Sequence, residues 1–148
     1  AWIDEASGQY QSLKFGSNAA ASFFFSIPLI RLSHIKLIRA EAIAEAGGDL
    51  ATAIEDINDI RDRAFGVGIF DVPSTATAND VILAAREEFR KETISEGLRI
   101  DQIRRLGAKG LNITVRNAPW NCPGMAIQFP NGEFSGSLFI GNPEGGCN

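Results

Sequence analysis

The sequence predicts an all-α fold: a helical hairpin, a third long helix and a long irregular C-terminal loop region. Three observations lead there. Apolar residues recur at three- and four-residue steps through 28–65 and again through 80–106, the period of helices with a buried face. The two parts of the first stretch are joined only by Gly47-Gly48-Asp49, a connection so short that the helices must run antiparallel. After Gly110 the helical period stops, and Pro119, Pro123, Pro130 and Pro143 crowd a glycine-rich tail that cannot continue as helix.

Residues 1–26 form an irregular lead-in of Gly, Ser, Gln and Asn, with a short extended piece at 10–15. Pro28 suits the first turn of a helix, where a missing N–H costs nothing. In this first helix, 28–46, Leu29, Leu32, Ile35, Ile38 and Ala42 make one stripe, and Ile30, Leu37 and Ala44 a second. A helix apolar over so wide an arc is expected to be buried on two sides. Ala40, Ala42, Ala44 and Ala46 let a partner come close, and Gly47 ends the helix in the left-handed conformation.

Asp49 caps the second helix, 49–65. Its buried stripe is Leu50, Ala53, Ile54, Ile57, Ile60 and Ala64, with Asp59 and Arg63 spaced to pair on the wet face. Gly66, Gly68 and Pro73 mark 66–79 as a breaker. The third helix, 80–106, starts near Asn79 or Asp80 and buries Val81, Ile82, Ala85, Phe89, Ile100, Ile103 and Leu106, with Gly107 ending it. Gly97 inside it costs about 1 kcal/mol against Ala, which implies a close backbone approach or a kink. In the tail, 107–148, Leu111 to Val115 alternates like a short strand. The whole, 1–148, is expected to be a single domain or a fragment of one.

The balance of 14 Lys and Arg against 18 Asp and Glu leaves a net charge of −4, which argues against a nucleic-acid partner. No run approaches the roughly 18 apolar residues of a membrane span, and no secretory leader is recognisable at Ala1-Trp2-Ile3-Asp4. Two cysteines and one histidine are too few for a zinc site, so no metal or cofactor is expected. Cys122 and Cys147 either pair, closing a loop worth about 3 kcal/mol in the chain-entropy model, or stand as independent thiols.

Chemistry-bearing motifs are weak. His34 follows Ser33, but adjacent helical residues point apart and cannot act as base and nucleophile; a structural or surface role is expected. Asp56-Ile57-Asn58-Asp59 lacks the glycine of a calcium loop, and Gly66-Val67-Gly68 lacks the third glycine of a dinucleotide fingerprint. Glu88, Arg90, Lys91, Glu92, Glu96, Arg99, Asp101, Arg104 and Arg105 make the third helix dense in both signs. An ion-pair network is expected there, built on Glu88, Arg90, Glu92, Glu96, Arg99 and Arg105. A hydrolase using Glu92 and Glu96, four apart on one helix face, is the weakest alternative. The chain is expected not to be an enzyme.

Four segments together resemble the RagB/SusD family. They are Ile30 to Ala42; Gly48-Asp49-Leu50 through Ile60-Arg61-Asp62-Arg63-Ala64; Glu88 to Gly107; and Ile127 to Glu133 with Gly141-Asn142-Pro143. The chain departs from the pattern at His34, usually Glu, at Phe89, usually Arg, and at Gln102, where Asp is usual and Asp101 lies one place early. The likeness covers only the C-terminal part of such proteins, so the chain reads as a fragment without the lipid-anchor segment. The resemblance implies tetratricopeptide-like hairpins and a surface-exposed lipoprotein of the outer membrane. It also implies a non-catalytic role, binding oligosaccharides and passing them to a SusC-like TonB-dependent transporter. Glycan binding needs flat aromatic faces and planar polar groups, which makes Trp120 with Asn121 (or Asn117), Trp2 and Tyr10 the candidate contacts; Trp120 plugging the helices is the alternative for that residue. In the resembled family the platform lies mostly upstream, so this chain alone is expected to bind weakly or not at all. The other function class that fits is a helical protein–protein interaction scaffold without sugar.

Overall fold

The computed structural model describes residues 3–6, 9–12, 29–126 and 147. Two short strands, β1 (Ile3–Ala6) and β2 (Gln9–Ser12), pair antiparallel with Glu5 opposite Tyr10. Four helices carry the fold: α1 (Leu32–Glu45), α2 (Leu50–Phe65), α3 (Ala78–Glu92) and α4 (Arg99–Ala108). A two-residue hairpin, β3 (Thr114–Val115) with β4 (Ala118–Pro119), and a 3-10 turn at Pro123–Met125 follow. The architecture is all-α. Among the described residues no helix is long and apolar enough to cross a membrane. Contacts divide the chain into two units, 1–96 and 97–148.

In the first unit α1 packs against both α2 and α3. The core is Leu37, Ala40 and Ala44 of α1, Ala53, Ile54, Ile57 and Ile60 of α2, Val81 and Ala85 of α3, and Val72 from the connection. The helix ends follow from their caps. Gly47 takes φ 70° and ends the α1 turn. Asp49 accepts from the Ala51 N–H at 3.1 Å. Thr77 and Asp80 form a reciprocal capping box, which starts α3 at Ala78, ahead of the expected Asn79 or Asp80. Asn58 fixes the α2–α3 connection by donating to the Val72 carbonyl (3.1 Å) and accepting from its N–H (2.8 Å).

Several further expectations are corrected. First, α1 does not bury two sides. Its stripe of Leu29, Leu32, Ile35, Ile38 and Ala42 is exposed, Leu32 by 72%, and the inward face is Ser33, His34, Leu37, Ala40, Glu41 and Ala44. Alanines allow close helix approach, and two of the buried polar groups find distant partners, His34 in Glu96 and Glu41 in Arg86. Second, α1 begins at Leu32: Arg31 is the extended N-cap, its carbonyl accepting from the His34 and Ile35 N–H groups. Pro28 lies outside the described residues.

Third, the single helix at 80–106 is two. After α3 the Thr93 hydroxyl bonds the Phe89 carbonyl at 2.7 Å. Ser95 (φ 65°) and Gly97 (φ 77°) then turn left-handed before α4 begins, a conformation a continuing helix cannot hold. Ile100, expected inside, is 38% exposed. Fourth, Asp59 and Arg63 do not pair: Asp59 takes Lys36 of α1, and Arg63 takes Glu92 at 2.6 Å. The expected strand at 111–115 is only Thr114–Val115. The extended piece at 10–15 shows β2 up to Ser12, and its remainder lies outside the described residues.

In the second unit Ile103, Ala118, Cys122 and Met125 form the core, with Ile113, Val115, Trp120 and Cys147 packed against it. Gly107 does not end α4; Lys109 is its C-cap.

Candidate functional site

The loop that carries Trp120 is built by local rules. Arg116 and Asn117 both have positive φ, 50° and 67°, the signature of a two-residue hairpin turn whose twist suits the flanking strands. The hairpin delivers Pro119 to a turn in which its carbonyl accepts from the Cys122 N–H at 2.9 Å. The Trp120 ring lies on Gly107 of α4. Trp120 is half-buried, Asn121 and Asn117 are exposed. Arg104 donates to the Met125 carbonyl at 2.8 Å, and Cys122 is bonded to Cys147 with Cα atoms 5.5 Å apart. The loop is thus tied down at three points. Of the other candidate contacts, Trp2 lies outside the described residues, and Tyr10 is described only by its place in β2.

The charged residues of the third-helix region are wired mostly between elements of the first unit. Arg61 donates to Glu88 at 3.0 Å, and Lys91 donates to the same oxygen at 3.1 Å. Arg63 reaches Glu92, and Arg31 reaches Glu96. His34 Nε2 stands 2.9 Å from Glu96 Oε2, its ring 5.8 Å from that of Phe89. The sole histidine is therefore a buried partner of a carboxylate. Arg90 pairs locally with Glu87, which holds the Glu87 carboxyl below its usual range. In the second unit Arg99 donates to Gln102 at 2.6 Å. Arg105 is exposed on α4.

The same wiring joins α1 to its neighbours. Arg86 bridges Glu41 (2.6 Å) and Glu45 (2.8 Å), and Arg39 holds Asp56 by two bonds of 2.7 Å. The Glu92–Glu96 spacing is not that of one helix face, because α3 ends at Glu92. Each of these two carboxylates already accepts from a cation. Among the described residues no group of three His, Cys, Asp or Glu is placed to hold a metal ion.

Sequence reasoning missed one feature of the first unit. Phe65, the last residue of α2, and Phe70 of the following loop meet edge to face, centroids 5.0 Å apart and planes at 78°. Together with Arg61, Glu88 and Lys91 they line an open cleft of about 290 Å³. The available signal was two phenylalanines bracketing Gly66-Val67-Gly68, but reading Phe as core material hid it.

In comparison with known proteins, the family model described as the SusD family matches residues 25–129. No curated protein and no solved structure matches the chain.

Proposed function

The chain belongs to the SusD family, and on that premise we propose that it serves in binding oligosaccharides at the cell surface for uptake through a SusC-like TonB-dependent outer-membrane transporter. Members of the family are in general nutrient-binding lipoproteins, associated with the outer membrane and not catalytic. The observation that carries the reading is the extent of the match, within which α1 to α4 all fall. The loop of the second unit supports it: Trp120 is half-buried and fixed against α4, with Asn121 exposed beside it. A flat aromatic face and a planar amide are what sugar C–H surfaces and hydroxyls require. Trp120 and Asn121, with Trp2 and Tyr10, are the proposed contacts.

The test has two arms. The protein is purified from outer membranes under mild detergent and its co-purifying chains are identified; it is also titrated with a panel of oligosaccharides. A TonB-dependent transporter in the first arm and saccharide binding in the second are expected. The absence of both results would end the proposal.

One observation favours a second reading, a protein–protein interaction scaffold. Leu29, Leu32, Ile35 and Ile38 lie exposed along one side of α1 and the residues before it, and a contiguous apolar strip is commonly an interaction surface. Lysine at Ile35 abolishing transporter capture while sparing saccharide binding would separate the two roles.

A further inference from the structure

We infer that the cleft between Phe65, Phe70 and Glu88 is a subsite for one pyranose ring of a neutral oligosaccharide. The inference rests on the nutrient-binding reading above but places a contact on α2, α3 and the loop after α2, where that reading has none.

The cleft is pre-formed. Gly66 takes φ 99° and Gly68 φ 74°, and a Cβ at Gly66 would sit 3.0 Å from the Ile69 side chain, so the turn depends on glycine. Asp62 accepts from the Gly68 N–H at 3.0 Å. Arg61 donates to the Phe70 carbonyl at 2.8 Å, and Asn58 holds Val72 on both its backbone groups. Phe70, 58% exposed, is thereby presented by a backbone pinned on either side. Ordering that costs nothing at the moment of binding is gained as affinity.

The chemistry of the lining selects the ligand. Two rings nearly at right angles offer a floor and a wall for sugar C–H faces. At their edge stands Glu88, its side chain only 5% exposed. Its Oε1 takes both Arg61 and Lys91, which leaves Oε2 without a partner among the described residues. Arg61 uses Nε and one terminal nitrogen, leaving the other unbonded. A free acceptor beside a free donor matches neighbouring sugar hydroxyls, each of which both donates and accepts. A purely apolar occupant would leave the Glu88 oxygen dry and unpaired, whereas a sugar hydroxyl can donate to it. The volume lies near the lower end of ligand clefts, roughly 300–1,000 Å³, which suits one ring.

The test is heteronuclear NMR of the full chain titrated with maltohexaose, cellohexaose, xylohexaose and mannohexaose. Binding by one or more of these is expected to move the Phe65 and Phe70 ring resonances and the Arg61 Nε–H. Phe70→Ala is expected to weaken that binding roughly tenfold, whereas Phe70→Tyr, which keeps the ring, retains it; circular dichroism verifies the fold of both. Saccharide binding that moves only the Trp120 loop and survives Phe70→Ala overturns the subsite and leaves the nutrient-binding reading standing. Binding of none of the probes overturns both.

Discussion

Trp120 sits so closely on Gly107 that a Cβ there would lie 2.6 Å from Trp120 Cδ1 and nearer still to Cγ and Cδ2. Alanine in a helix interior normally stabilises by about 1 kcal/mol over glycine. Here the ring must shift instead, and overpacking costs about 1–3 kcal/mol. Gly107→Ala is therefore expected to lower stability in denaturant unfolding. In combination with Trp120→Ala the penalty should vanish, a coupling that a double-mutant cycle reads directly.

The Cys122–Cys147 bond closes a loop with a sequence separation of 25. Loss of such a cross-link costs about 3 kcal/mol in the chain-entropy model. Thiol titration of the unreduced chain is expected to find no free thiol. Cys147→Ser should raise hydrogen exchange through 111–126; exchange unchanged from the parent would contradict the pairing.

His34 and Glu96 supply a third expectation. Glu96 accepts from Arg31 through one oxygen and from His34 through the other. Its side chain is only 10% exposed. His34→Leu removes one donor from this buried carboxylate, at a cost of about 1–3 kcal/mol. His34→Gln, which keeps an N–H donor, should recover part of it. Equal unfolding midpoints for the two variants would count against the pair.

The acid limb of stability should carry two opposite signs. The Thr77 hydroxyl first, then the Thr77 N–H, hold the Asp80 carboxyl below its usual range; the Thr52 hydroxyl first, then the Ala51 N–H, do so for Asp49. Their contribution is complete above the unfolded pKa and lost as pH falls through the folded one. Asp71 runs the other way: desolvation first and the Asp62 carboxylate second raise it, so its ionisation opposes folding and acid relieves the penalty. Urea midpoints followed from about pH 7 to 3 should fall less steeply for Asp80→Asn than for the parent. Asp71→Asn should exceed the parent at neutral pH and lose that advantage on acidification.

The orientation of α1 is equally testable. Leu37, 1% exposed, should cost about 2–5 kcal/mol as Leu37→Ala. Ile35, 48% exposed, should tolerate Ile35→Lys within about 0.5 kcal/mol. Reversed effects would put the other face inward.

What the amino-acid order settled by itself was local. Asp49 bonding the Ala51 N–H and Gly47 at φ 70° follow from residues a few positions apart. So does most of the inward face of α2, where Ala53, Ile54, Ile57 and Ile60 are buried as their spacing implies, while Ala64 of the same expected stripe is exposed. These depend on backbone geometry and short-range capping, which the nearest neighbours dictate. The tertiary structure decided the rest. The apolar residues of α1 are spread nearly all round it, so spacing could not choose its buried face. The choice fell to partners far along the chain, Arg86 for Glu41 and Glu96 for Arg31 and His34. The break after Glu92 and the corner made by Phe65 and Phe70 are of the same kind. A buried polar group must find its complement wherever packing brings one within bonding distance, and that pairing is a property of the folded chain, not of adjacent residues.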